Sequence, residues 1–178
     1  MTARFSPWKF MSNHSSRAQA MVEFALALPI FLLVVYGVIE ASRAVFLDAA
    51  VTTASREGAR FASAAGLDDA GYLHYQDCVG IRRAANSVGF YLNLSTTSTT
   101  DIQITYSLRQ PNGTITTIDC TKTTTGPQTT VIVNTGDFVT VKVKKQFSPI
   151  LPLVPFTSYQ MQAKSSRTLT GEIDLNAK

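Results

Sequence analysis

Few side chains in this sequence are of the types that do chemistry, and fewer are spaced to do it. The histidines are His14, near the start, and His74. His74 falls among Asp68, Asp69 and Asp77, a set with the oxygen donors a hard cation takes. The set lacks the dense alternation of Asp or Asn with Gly that shapes a calcium loop, so a solvated surface loop is the simpler reading and no metal site is assigned. Cys78 and Cys120 lack the C-x-x-C spacing of a zinc site. In an oxidising compartment they form one disulfide closing a loop of about 40 residues, worth roughly 4 kcal/mol by chain entropy. In a reducing one they are two buried thiols. No nucleophile elbow, phosphate-binding loop or dinucleotide fingerprint occurs. Glu57 with Arg56 and Arg60 reads as helix-surface charge, or else as charge at a contact with a neighbouring subunit. The inventory points away from an enzyme and implies no cofactor.

One carboxylate does stand out, because of where it sits. Glu23 lies inside the leading edge of an apolar run, residues 17–40, RAQAMVEFALALPIFLLVVYGVIE. The uninterrupted part, Phe24–Ile39, would be about 24 Å long as helix, short of the roughly 30 Å hydrocarbon core. Extending it back to Ala18 gives about 33 Å, which spans, and places Glu23 in or beside the bilayer. A carboxylate there costs roughly 2.5–3.5 kcal/mol on insertion scales, which predicts a functional residue with a partner. The blander reading is an interfacial Glu tilted toward the headgroups.

The elements that must position this carboxylate follow from the pattern around it. The run is longer than a signal-peptide core and passes into a second helical pattern without a small-residue cleavage exit, so it reads as retained. Beyond Ile39, the residues Ala44, Leu47, Val51, Ala54, Gly58, Phe61 and Ala65 recur at spacings of three and four. That is one stripe of an amphipathic helix, with Arg43, Asp48, Arg56, Glu57 and Arg60 on its other side. A helix over Gln19–Ala65 is predicted, kinked at Pro29 and stopped by Gly66.

After a polar loop, Leu67–Asp77, a shorter helix is predicted over Cys78–Tyr91 from Ile81, Ala84, Ala85, Val88 and Tyr91. Alternation then takes over. Ile102, Ile104, Tyr106 and Leu108 predict a strand, Pro111-Asn112-Gly113 a turn, and Thr114–Thr121 the returning arm of a hairpin. Thr129–Val133 reads as a short strand, Asn134–Asp137 as a turn, Phe138–Phe147 as a strand and Ser158–Ile173 as the site of the last one. The apolar stretch Phe147–Pro155, broken by three prolines, is neither helix nor central strand, and either tucks under the domain or offers a contact surface. The expected class is α+β, with helices on one side of an antiparallel meander. The organisation is 1–18 a basic leader, 19–40 the membrane half of the long helix, 41–66 its amphipathic soluble half, and 67–178 an extracytoplasmic domain.

Charge sets the topology. Only 16% of residues are charged and the net charge is +4, with Lys and Arg scattered along the chain, so nucleic-acid binding is not indicated. The segment before the run carries Arg4, Lys9 and Arg17 and no acid, which puts the N-terminus in the cytoplasm. The cysteines and Thr-rich strands then belong outside.

Ala18-Gln19-Ala20-Met21-Val22-Glu23-Phe24 resembles the cleavage region of type IV prepilins: a basic leader, a small residue at the cut, and Glu as the fifth mature residue before a long apolar helix. The chain is closest in pattern to the TadE-like proteins, the pseudopilins (minor pilins) of the tight-adherence (Tad or Flp) pilus. Residues 19–29, Ala54-Ser55-Arg56-Glu57-Gly58-Ala59-Arg60, and Gly136–Val141 followed by the Pro-rich stretch 147–155 carry the likeness, while Asn93–Gln128 carries little. The resemblance implies a type IV pilin-like fold, with the long helix and the shorter one packed on the antiparallel sheet. It also implies a cut between Ala18 and Gln19 by a prepilin peptidase, with Glu23 compensating the α-amine so released. The implied partners are other pilin or pseudopilin subunits, the inner-membrane assembly platform and the bilayer, and the implied role is pilus assembly and adhesion at the cell surface. Ala18 departs from the family's usual Gly at the cut. The competing reading is an unprocessed, single-pass anchored domain that binds or senses an external ligand.

Overall fold

The computed structural model describes residues 15–68, 71–96, 99–121, 133–150 and 158–170. The leader before Ser15, Asp69 of the loop cluster, the strand expected over 129–132 and the Pro-rich residues 151–155 lie outside them. Contacts divide the chain into two units, one ending at Ser42 and one beginning at Arg43.

The first unit is helical. Helix α1, Ser15–Ala62, starts here and continues through Pro29 as one element. Its residues are mainly Ala, Leu, Val, Ile and Phe, and every position from Arg17 to Val35 is exposed. An element apolar on all sides cannot be stable bare in water.

The second unit is an α+β layer pair, as expected. The rest of α1 (from Arg43) and α2 (Cys78–Val88) pack on a four-stranded antiparallel sheet of β1 (Ile102–Arg109), β2 (Ile115–Asp119), β3 (Phe138–Phe147) and β4 (Tyr159–Thr168). The covered face of the sheet comes from strand alternation: Ile102, Ile104 and Tyr106 lie opposite Val143, Val141 and Val139, and all six are buried. The helix face laid on it is made of small residues. Ala50, Ala54, Ser55, Ala59 and Ala62 are buried together with Val51. Gly58 is the tightest point, because a Cβ there would stand 3.1 Å from Val141 Cγ1 and 3.2 Å from Ala85 Cβ. The stripe is therefore wider than the expected row: Ala50, Ser55, Ala59 and Ala62 join it, and Ala65 is exposed.

Three expectations are corrected. Helix α1 stops at Ala62 rather than Ala65. Beyond Ala62 the chain tightens into a three-residue turn, Ala64 N–H donating to Phe61 O at 3.2 Å, before Gly66 takes φ +111°. Helix α2 ends at Val88, and Tyr91 leaves it through a 3-10 turn, Phe90–Leu92, to stack on Phe46 with ring centroids 4.8 Å apart. The sheet is not a meander, since its order is β2-β1-β3-β4 and β3 crosses to pair with β1. The reason is visible in the strands: β2 is a Thr-rich element exposed along nearly its whole length, fit only for an edge, whereas β1 buries every second residue.

Candidate functional site

The residues singled out for processing sit at the start of α1. Ala18 and Gln19 lie within the first turns described of α1. Both are exposed. Glu23 is one turn further on and meets the side chain of Gln19, whose Nε2 donates to Glu23 Oε1 at 3.1 Å. The spacing of Gln19 and Glu23 is that of an i,i+4 pair, which the side-chain amide fills as well as the main-chain amine that a cut would free. The amide is neutral, so it satisfies a lone pair without compensating the charge. Around and beyond Glu23 the surface is apolar: Met21 is 76% exposed, Phe24 66% and Leu26 69%. At the far end of the run Tyr36 Oη donates to Glu40 Oε1 at 3.2 Å, a polar boundary roughly 25 Å from Glu23 along the helix axis. The segment is long and apolar enough to cross a bilayer.

The charge cluster on the soluble part of α1 is locally satisfied. Arg60 Nε donates to Glu57 Oε1 at 3.1 Å and Oε2 at 3.0 Å, and its Nη2 also reaches Oε1. The Arg60 hydrogen bonds hold the Glu57 carboxyl below the usual glutamate range, with Arg167 adding to the effect.

Cys78 and Cys120 are joined in a disulfide, with Cα atoms 6.0 Å apart and a sequence separation of 42. It ties the first residue of α2 to the end of β2. Around it lies a buried polar network that the alternation pattern did not reveal. Arg82 Nη2 donates to Cys120 O at 2.6 Å, and Tyr106 Oη lies 3.3 Å from Cys120 Sγ and donates to Tyr75 O. Burial pushes the Tyr106 phenol well above its ordinary pKa, against the opposing pull of the Arg82 guanidinium. Its role is that of a neutral hydrogen-bond donor.

The described residues of the Asp–His loop cluster, Asp68, His74 and Asp77, each serve the backbone instead. Asp68 Oδ1 accepts from Tyr72 N–H at 2.8 Å, Asp77 Oδ1 caps α2 by accepting from Val79 N–H at 3.1 Å, and His74 Nδ1 lies 3.1 Å from Gly66 O. Among the described residues no three His, Cys, Asp or Glu side chains converge. Of the Pro-rich stretch, Phe147 is buried with Arg43 over its ring at 5.4 Å, while Ile150 is 61% exposed.

Comparison with known families agrees with where this geometry concentrates. The model of the family described as TadE-like protein matches residues 18–60, from the proposed cut to the last turn of α1. No curated protein and no solved structure matches the chain. Over residues 18–60, the helix that carries Glu23 and the small-residue face, the chain is similar to TadE-like proteins.

Proposed function

We propose that this chain is a non-enzymatic pseudopilin (minor pilin) of a Tad-type pilus system, held first in the inner membrane and then handed to the assembly machinery. The match over residues 18–60 supports association with such a system. The observation that carries the finer reading is a carboxylate, Glu23, whose side-chain contact is a neutral amide, at the head of a helix whose apolar residues are exposed on every side as far as Val35. Prepilin peptidase cuts between Ala18 and Gln19. The cut makes Gln19 the N-terminus and places an α-ammonium four residues from Glu23, on the same helix or on a neighbouring subunit. Pairing offsets the cost of an isolated carboxylate in lipid, and across two subunits it sets their axial register. The apolar half of α1 exchanges lipid for other pilin helices, and the domain beyond it is carried outside the cell to support surface adhesion.

Mass spectrometry of the membrane-extracted protein is the direct test, and a mature chain beginning at Gln19 is expected. Glu23→Ala is expected to insert in the membrane normally and to abolish pilus assembly, and normal piliation in that strain would refute the role given to Glu23. One feature favours the second reading, an uncut anchored binding domain: Ala18 stands where the family has Gly. An intact Met1 in the extracted protein would decide for that reading.

A further inference from the structure

The β3–β4 half of the sheet face turned away from the helices is basic, while Asp119 lies on the β2 side of the same face, paired with Thr105. Residues 138–170 contain Lys142, Lys144, Lys145, Lys164 and Arg167 and no acid. Alternation sends Lys142, Lys144 and Lys164 to the uncovered face, because Val141 and Val143 between them are buried. The β3–β4 register then sets Lys142 directly opposite Lys164, with Lys144 opposite Gln162. Like charges directly opposed across a strand pair are destabilising, so the sheet holds a repulsion that a bound anion relieves. Spacing makes the array regular: neighbouring strands lie about 4.8 Å apart, and Lys142 and Lys144 are about 6.7 Å apart along β3.

Between the lysines the face is hydroxyl and amide. Thr140 Oγ1 and Ser166 Oγ lie 2.8 Å apart, Thr105 Oγ1 donates to Asp119 Oδ1 at 2.8 Å, and Gln103 pairs with Lys142. The apolar exceptions are Phe138, 41% exposed, and Ile115, 56% exposed and opposite Arg109, both at the end of the sheet away from Lys142, Lys144 and Lys164. A surface that inserts into headgroups carries apolar anchors among its cations. This one carries groups that hydrogen-bond to sugar hydroxyls.

We infer that this face is a binding surface for an acidic polysaccharide, a chain bearing uronate carboxylates at intervals comparable to the lysine spacing. The carboxylates lie over Lys142, Lys144 and Lys164, and the sugar hydroxyls meet the Thr, Ser and Gln side chains between them. The surface belongs to the folded domain and does not depend on whether the chain is cut after Ala18.

The full-length protein in neutral phosphatidylcholine nanodiscs is assayed against polygalacturonate, against neutral dextran, and against vesicles containing phosphatidylglycerol. Polygalacturonate binding that weakens with salt is expected, with none to dextran. K142Q/K164Q is expected to lose affinity by about tenfold or more. R56Q/R83Q, which removes the same charge from the helical side, is expected to retain it. Thermal unfolding of K142Q/K164Q at or above the parent temperature shows that the loss is not unfolding. Equal losses in the two variants, or no polygalacturonate binding, overturns the proposal. Stronger binding to the anionic vesicles, lost in K142Q/K164Q, assigns the face to a membrane surface instead and equally overturns it.

Discussion

The two parts of helix α1 are built on opposite rules. Up to Ser42 it displays large residues, with Phe31, Leu32 and Val34 each more than half exposed. From Arg43 onward its inner face is mostly Ala, Ser and Gly with Val51 among them, and these are buried. A large side chain gains most where its surroundings are soft, whether lipid or the side chains of other helices. A small one gains where a rigid surface comes close, because it lets the backbones approach. Gly58, against Val141 and Ala85, marks one extreme, and Gly37, with nothing within 4 Å, marks the other. The difference shows that the second part is finished within its own domain, whereas the first still needs a partner.

The sharpest way to press this contrast is to loosen the domain and ask whether the first part notices. Replacing the disulfide by C78A/C120A is expected to lower the stability of the domain by about 2–5 kcal/mol. In detergent the helicity of residues 17–40 is expected to survive that loss. Loss of both together, followed by circular dichroism and limited proteolysis, would break the comparison. Gly58→Leu comes next, at about 1–3 kcal/mol of destabilisation from overpacking against Val141 and Ala85. Gly37→Leu should leave the melting temperature of the domain unchanged, so equal effects of the two substitutions in a thermal melt would contradict the account.

The smallest effect belongs to Glu57 and Arg60. The carboxyl pKa is depressed in the folded state, so its contribution is present in full above the unfolded value, near 4.5, and is lost as pH falls through the lower folded value. The pair is largely exposed, so the contribution is slight and salt-sensitive. Glu57→Gln is expected to lower stability slightly at neutral pH, to match the parent at pH below the folded carboxyl's range, and so to flatten the acid limb of the stability–pH curve.

How far these features could be read in advance depended on the range of the interaction. The Glu23 anomaly, the alternating strands β1 and β3 and the Asn112-Gly113 turn are local, and local pattern was enough to find them. Asp137 shows where local reading stops. Its local pattern is that of a turn residue, but its carboxylate is buried and accepts from Arg109 N–H and Asn134 N–H, each at 2.7 Å, so it joins the end of β1 to the turn before β3. Arg82 is similar: on a helical wheel it is a surface cation, yet it is fully buried, donating to a carbonyl 38 residues away.

What the amino-acid order determined alone is the division of labour. An apolar run with one carboxylate needs no tertiary structure to be costly in lipid, and period-two alternation needs none to give a strand one buried face. What only the tertiary structure decided is which strands became neighbours. Pairing β3 with β1 instead of β2, and β4 with β3, set Lys142 against Lys164 and joined β2 to α2 through Cys120 and Cys78. Strand order is governed by which faces the helices can cover and which strand can bear solvent at an edge. That competition is settled across the whole sheet and leaves no mark within any one segment.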